Sequence, residues 1–411
     1  FGKTIEGLEV AGYLNYLNTD GFEGHVDQDQ QSLLDQQWGT HASLAPGNMK
    51  NKADQWDAQL TMKYKGFKFD GKFIGRKMDQ PFGWRPVLDN MSEEDIQEYY
   101  INLSYDASVM EGLDLLVKAF RNQYSWHRTA QIWPKGALVN TPMGPTILAD
   151  NKFYEGEVKN RRTGAEAETT YEIWDANTIV GGITFQRMEQ YGSTGKSNYV
   201  PMSGMIIPLP SVQNWPDNFL QPEKNMDFWA AYVEDLWDIM DDLRLTIGGR
   251  YDHYSDFGGQ FSPRVGLNWD FAQNYYAKCL YGRSFRAPNF YELYDPAEGN
   301  PDLKPMTKDN YELSFGVRFL PSFSAQITGY YFKGEDAISG NYIGSPPRFK
   351  YTNLDKGKGS GVELKMKYDF GRGTFLSMNY TYEDLKLWDA YGKPEVSWWT
   401  PKHLGTLAGN I

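Results

Sequence analysis

Cysteine is almost absent from this chain: a single residue, Cys279, stands among 411. One thiol excludes an intrachain disulfide, and Cys279 reads as a small lipid-facing or packed residue rather than a reactive group. Positive charge is also in deficit. The formal net charge of -12 argues against nucleic acid as a partner, which would require a basic face. No apolar run approaches the roughly 20 residues that a membrane-spanning helix needs, so a helical membrane protein is excluded. Histidines are few, and His25, His41, His127, His253 and His403 are scattered with no pair at metal-ligand spacing. Asp252, His253 and Asp256 fall close together, but on a strand edge they read as a hydrated rim. The stretch "DQDQQ" at 27–31 lacks the glycine and terminal glutamate of a calcium loop. Nucleophile-elbow, zinc-helix and phosphate-loop patterns are missing, and no facing carboxylate pair stands out for glycoside chemistry. The chain is therefore expected to have no catalytic residue, metal site or cofactor.

What the sequence does have is aromatic residues and alternation. Aromatics make up 16% of the chain while the mean hydropathy is only -0.61, a combination that suits strands apolar on one face alone. In "DLRLTIGGRYD", Leu243, Leu245, Ile247, Gly249 and Tyr251 share one face, and Arg244, Thr246, Gly248, Arg250 and Asp252 the other. In "VELKMKYDF", Val362, Leu364, Met366, Tyr368 and Phe370 alternate with Glu363, Lys365, Lys367 and Asp369. The same period of two runs through 58–64, 67–73 and 311–319. These runs reach about 10 residues, the length that crosses a bilayer when tilted, where sandwich strands average about 5–6. Tyr64, Tyr251, Tyr368 and Phe370 fall at strand ends, where an interfacial girdle needs them.

Connections divide into two kinds. Very short ones occur at 65–66, 111–112, 272–274, 321–322 and 371–373; long polar ones occupy 16–53, 78–96, 127–164, 191–225, 285–308, 335–357 and 387–400. Apart from one modest loop near 255–261 they alternate strictly, as in an outer-membrane barrel with tight inner turns and large outer loops. About sixteen strands are expected, the first at 3–14 and the last at 402–411, with one helical turn at 91–100. Strand-like segments stand at both ends, and naked sheet edges are unfavourable, so the chain reads as a piece of a longer protein. No domain boundary falls within 1–411.

Five motifs follow in order over residues 226–319: "FWAAYVEDLWDIMDD", "LRLTIGGRYD", "SPRVGLNWDF", "YGRSFRAPNFYELY" and "GNPDLKPMTKDNYELSFGVRF". They resemble TonB-dependent outer-membrane receptors, with Met306 standing where that family usually carries Glu. The resemblance implies an all-β fold: a transmembrane antiparallel β-barrel of the 22-stranded type. By the same resemblance the chain is expected to be a partial barrel, without the N-terminal plug that bears the TonB box. It implies that the sixteen strands are the third to the eighteenth, and that 285–308 is the seventh extracellular loop. It also implies active uptake of a scarce bulky ligand, most often a ferric siderophore, energised by the TonB complex through the plug. A passive porin, a barrel adhesin, or a receptor for cobalamin, haem or an oligosaccharide remain alternatives. Haem receptors of the family carry a His in the seventh loop, and residues 286–301 have none.

Two prolines bound the loop at 285–308. Pro288 fixes its own φ and forces Ala287 extended, so Arg286, Pro288, Glu292, Asn300 and Pro301 read as loop-shaping residues. Arg286 and Glu292 are assigned that role in preference to ligand contact. Phe290, Tyr291 and Tyr294 are the side chains of this loop expected to meet a ligand. The other long connections offer Trp38, Trp84, Trp126, Trp133, Trp174 and Trp215, with Trp126 and Trp133 chosen as ligand contacts. Aromatic platforms suit a flat, metal-bearing ligand, although such rings also pack loops together. Arg244, Arg250, Glu363 and Lys365 read as lumen-wall residues that pair with one another or with a plug.

Overall fold

The fold follows from a computed structural model that describes residues 1–202, 205–217, 220–320, 322–343, 348–388, 394–396 and 400–410. Among the described residues the main sheet has nineteen strands; seventeen of them make one continuous wall, and Met205–Asn214 and Pro394–Val396 are additions paired to its eighth and sixteenth strands. The first eight are β1 (Gly2–Ile5), β2 (Leu8–Thr19), β3 (Ala53–Tyr64), β4 (Phe67–Asp79), β5 (Glu93–Met110), β6 (Leu113–Trp133), β7 (Lys152–Trp174) and β8 (Asn177–Met202). They continue as β9 (Lys224–Met240), β10 (Leu243–Tyr254), β11 (Gly258–Ala272), β12 (Tyr275–Arg286) and β13 (Met306–Leu320). The last are β14 (Phe323–Ile343), β15 (Arg348–Gly371), β16 (Thr374–Trp388) and β17 (His403–Asn410). Each pairs antiparallel with the next in sequence, from β1 on β2 to β16 on β17. Among the described residues β1 and β17 do not pair with each other, so the wall is an open portion of a barrel.

Cross-strand partners show why the alternation is obligatory. Leu245 lies opposite Leu267, and Ile247 opposite Val265. Phe315 lies opposite Ile327, which in turn faces Leu364, while Ala325 faces Met366. These residues form the outward face, on which Ile247, Leu313, Phe315 and Ile327 are about half exposed. A surface of that kind is stable only against lipid. Two aromatic belts border it. Phe67 and Tyr105 touch at 4.5 Å, and Tyr368 and Phe370 at 4.6 Å, near the short turns. Tyr16 and Trp56 at 4.3 Å, Trp229 and Tyr251 at 5.4 Å, and Tyr281 and Tyr311 at 5.0 Å mark the other margin.

The intervening residues face inward. Lys118, Arg162, Arg250 and Arg264 border a lumenal space of about 970 Å³. Most of these cations are matched: Arg250 bonds Asp252 at 2.8 Å, Lys118 lies 3.8 Å from Glu166, and Arg264 pairs with Glu234. Arg244 grips Asp238 through two N–H groups, at 2.5 and 2.8 Å, and Lys365 lies 3.4 Å from Glu363. A lumen of this width cannot be filled by its own side chains, and mutual ion pairing keeps the wall hydrated and ordered.

Several sequence-based boundaries are corrected. Residues 3–14 are not one strand, because Glu6 and Gly7 at φ 48° and 85° make a two-residue turn between β1 and β2. Lys65 and Gly66 repeat that geometry at 46° and 83°, which is the left-handed pair that tight hairpins require. Residues 93–100 enter β5 instead of a helical turn, since both β4 and β6 ladder onto them. Much of 127–164, 191–225 and 335–357 is strand, continuing 18–26 residues in β5 to β8. Above the lipid both faces are wet, so alternation fades while the backbone ladder persists. Helix α1 (Gln30–Trp38) lies within the long connection that follows β2. Pro321 of the turn at 321–322, the tip 344–347, and most of 389–399 lie outside the described residues.

Candidate ligand-binding site

Beyond β12 the chain closes into a small folded unit. Helix α2 (Phe290–Tyr294) is capped by a reciprocal pair: Asn289 Oδ1 accepts from the Glu292 amide at 2.9 Å, and a Glu292 carboxylate oxygen accepts from the Asn289 amide at 2.9 Å. Arg286 donates to that same oxygen at 2.9 Å, so one buried carboxylate joins strand end to helix start. At the far end the Asn300 amide donates to the Glu292 carbonyl at 2.8 Å, and Asn300 Nδ2 to the Tyr351 carbonyl at 2.9 Å. Leu293 and Leu303 are buried with Met226, and Phe290, Tyr294, Tyr254, Phe257 and Ile338 pack around them. The segment does not hang free between its prolines. A miniature core pins it to the wall.

Across from it, other connections fold around their own carboxylates and core. Asp29 caps α1 by accepting from the Ser32 amide at 2.7 Å, and reaches across to the Leu88 amide at 2.8 Å. Asp35 accepts from Thr40 at 2.6 Å, Gln31 at 2.9 Å, and the Ala42 and Ser43 amides, each at 2.8 Å. Burial pushes Asp35 up, but those four bonds outweigh it and hold the carboxyl below its ordinary range. Ala42, Ala137, Val139, Leu148, Tyr199 and Ile206 form a second buried cluster against Ile132 and Trp133.

Between these two folded units lies a cavity of about 860 Å³. Its aromatic lining includes Trp84, Trp126, Trp133, Trp215, Phe290 and Tyr291. Tyr154 and Tyr199 add two phenols; Asn160, Gln190, Ser193 and Gln221 add amide and hydroxyl groups; Arg85, Glu157 and Asp295 are its charged residues. The rings are held in place. Trp133 meets Tyr199 edge-on at 5.6 Å, Tyr154 meets Trp215 at 4.7 Å, and Arg85 lies 5.0 Å above Trp133. Trp126 donates to Glu94 at 2.5 Å, and Tyr291 to Glu298 at 3.0 Å. Such a chamber can enclose a bulky, largely planar molecule and offer it ring faces and amides.

Four of the five expected contact residues, Trp126, Trp133, Phe290 and Tyr291, thus surround one space. Tyr294 is not on its lining; it packs 6.3 Å from Phe290 and donates to Asp256. Trp126 and Trp133 lie on β6 rather than in a loop, because that strand continues beyond the membrane band. Trp38 is on α1, and Trp174 is at the opposite, short-turn end of β7. Asp252, His253 and Asp256 diverge: Asp252 takes Arg250, His253 stacks on Trp229 at 5.5 Å, and Asp256 takes Tyr294. No group of three metal-ligating side chains occurs among the described residues. Sequence reasoning missed Arg85, Tyr154, Tyr199 and Gln221. Parity along β7 was the available signal, since Tyr154 and Asn160 share the inward register of Arg162.

The chain matches the family described as TonB dependent receptor-like, beta-barrel, over residues 12–410. It belongs to the TonB-dependent receptor family. That family consists of receptors, not enzymes, and its barrels lie in the outer membrane, where this wall is placed. An iron-regulated outer membrane virulence protein of Vibrio cholerae is 31% identical over 199 residues, covering 43% of this chain and 30% of that protein. The vitamin B12 transporter BtuB of Vibrio cholerae is 37% identical over 92 residues, covering 22% of this chain and 15% of that protein. The solved siderophore receptor PirA of Acinetobacter baumannii superposes with a TM-score of 0.66 at 16% identity, covering 97% of this chain and 60% of its own. The chain therefore spans only part of the length of these relatives.

Proposed function

We propose that this TonB-dependent receptor barrel serves the active uptake of a bulky ferric chelate of the siderophore class. The observation that carries the reading is the aromatic chamber of about 860 Å³ on the extracellular side of the wall, ringed by Trp126, Trp133, Phe290 and Tyr291. Its size suits a ligand too large for passive diffusion to scavenge at low concentration. Energy would come from the TonB complex through a plug seated in the lumen, against Arg162, Arg250 and Arg264. Arg286, Pro288, Glu292, Asn300 and Pro301 keep the roof of the chamber in shape, and the outward apolar face meets outer-membrane lipid. A corrinoid is the second reading, favoured by the stretch that resembles the vitamin B12 transporter.

Uptake of radiolabelled ferric chelate and of radiolabelled cobalamin by intact cells tests both. Trp133→Ala combined with Phe290→Ala should reduce saturable, energy-dependent ferric uptake at least tenfold, with heat-modifiable mobility showing a folded barrel. Saturable uptake of cobalamin alone would replace the first reading with the second. Uptake of small solutes that neither saturates nor needs energy would leave only a porin.

A further inference from the structure

The chamber's charge narrows the ligand. Counting the described lining residues and the side chains bonded to or stacked on them, Glu157, Asp295, Glu94, Glu292 and Glu298 stand with Arg85, Arg128 and Lys159. Five carboxylates stand against three cations. Of the cations, Lys159 is held by Glu157 at 2.8 Å, and Arg128 lies 5.6 Å over Trp84. Only Arg85, stacked on Trp133, belongs to the lining itself without a carboxylate among its described contacts.

The rings add to this bias. Trp126 gives its N–H to Glu94, and Tyr291 its O–H to Glu298. Their polar hydrogens are taken by carboxylates, and the ligand is offered π faces, whose quadrupole repels negative charge and attracts positive. Burial first, and then the neighbouring Asp295 and Glu298, push the Tyr291 phenol well above its ordinary range. It is held as a neutral phenol that donates to Glu298.

From the balance of charge and the orientation of the rings, we infer that the chamber selects a ferric chelate with no net negative charge, of the tris-hydroxamate type, over a trianionic tris-catecholate. A trianion would need about three surplus cations nearby to offset its desolvation, and among the described residues the chamber has none in surplus. An uncharged chelate stacks on the tryptophans and meets Asn160, Gln190 and Gln221 through its amides.

This inference rests on the uptake reading, and one experiment separates their failures. Binding of an uncharged ferric tris-hydroxamate and of a trianionic ferric tris-catecholate to the purified full receptor is followed by quenching of tryptophan fluorescence. The hydroxamate should bind at least tenfold more tightly at low salt. Glu298→Gln and Glu94→Gln, which keep shape and remove charge, should each narrow that gap severalfold by improving catecholate binding. Equal or tighter binding of the catecholate would overturn the inference and leave ferric uptake standing. Failure of a folded receptor to bind either chelate would overturn both.

Discussion

The membrane band and the structure above it are built from the same strands but obey different rules. In the band, lipid requires every outward residue of β10 to β16 to be apolar, and a one-residue slip would place Arg244 or Lys365 in hydrocarbon. Above it, β5 to β8 are wet on both faces, and shape depends on single carboxylates that collect backbone amides. Asp29, Asp35 and Glu292 do there what the lipid does below. The difference teaches that the wall tolerates changes of identity within a polarity class, whereas the upper structure depends on particular atoms.

The largest effect that could break this contrast is in the upper core. Leu293→Ala should cost about 2–5 kcal/mol of local stability, seen as early proteolysis and fast hydrogen exchange across 287–305 while the barrel keeps its heat-modifiable mobility. A barrel that fails to assemble would merge the two regions into one cooperative unit. Next comes the band: Leu364→Arg should cost about 2–4 kcal/mol of folding into lipid, measured by urea titration in vesicles.

A smaller effect is expected at Asp35. Asp35→Ala removes the acceptor of four bonds and should cost about 1–3 kcal/mol, loosening 29–43 in hydrogen exchange. Asp35 is depressed in the fold, so its contribution is present above the unfolded carboxyl value of about 3.9. It is lost as pH falls through the lower folded value. Exchange in this segment should therefore quicken only in strong acid. An unchanged profile in wild type down to the acid unfolding of the barrel would remove Asp35 as the organiser. Lys365→Gln should leave vesicle folding within error of wild type, because its ammonium faces water and an exposed partner; a loss equal to that of Leu364→Arg would invert the assigned faces.

The same contrast explains what the sequence disclosed. Leu245, Ile247, Leu364 and Met366 could be read as one face because the bilayer imposes a period of two. Residues 127–133 and 152–164 have no strand signature in the sequence because, with water on both sides, no period is imposed and only pairing to neighbours reveals the strand. Helix α1 escaped because "QQSLLDQQW" carries no apolar stripe; its marks were Asp29 before it and Gly39 after it, at φ 70°. In the chamber, the tryptophans were visible as unusual residues, and Phe290 and Tyr291 by their place between two prolines. Arg85, Tyr199 and Gln221 have no local signature, since their roles exist only when segments far apart in sequence are brought together.

The nearest-neighbour connectivity of the wall has a consequence for how such a molecule is assembled. Every wall strand after the first finds its partner in the wall strand made just before it, with only the added strands Met205–Asn214 and Pro394–Val396 intervening, so the sheet can grow one hairpin at a time from either edge. Long excursions barely hinder this. Stretching a tight turn to the span between Thr19 and Ala53 adds about four doublings of loop length, or about 2.4 kcal/mol of closure entropy at about 0.6 each. The two folded units at the mouth can complete themselves after the strands beneath them have zipped, and changes in their sequence need not alter the order in which the wall is laid down.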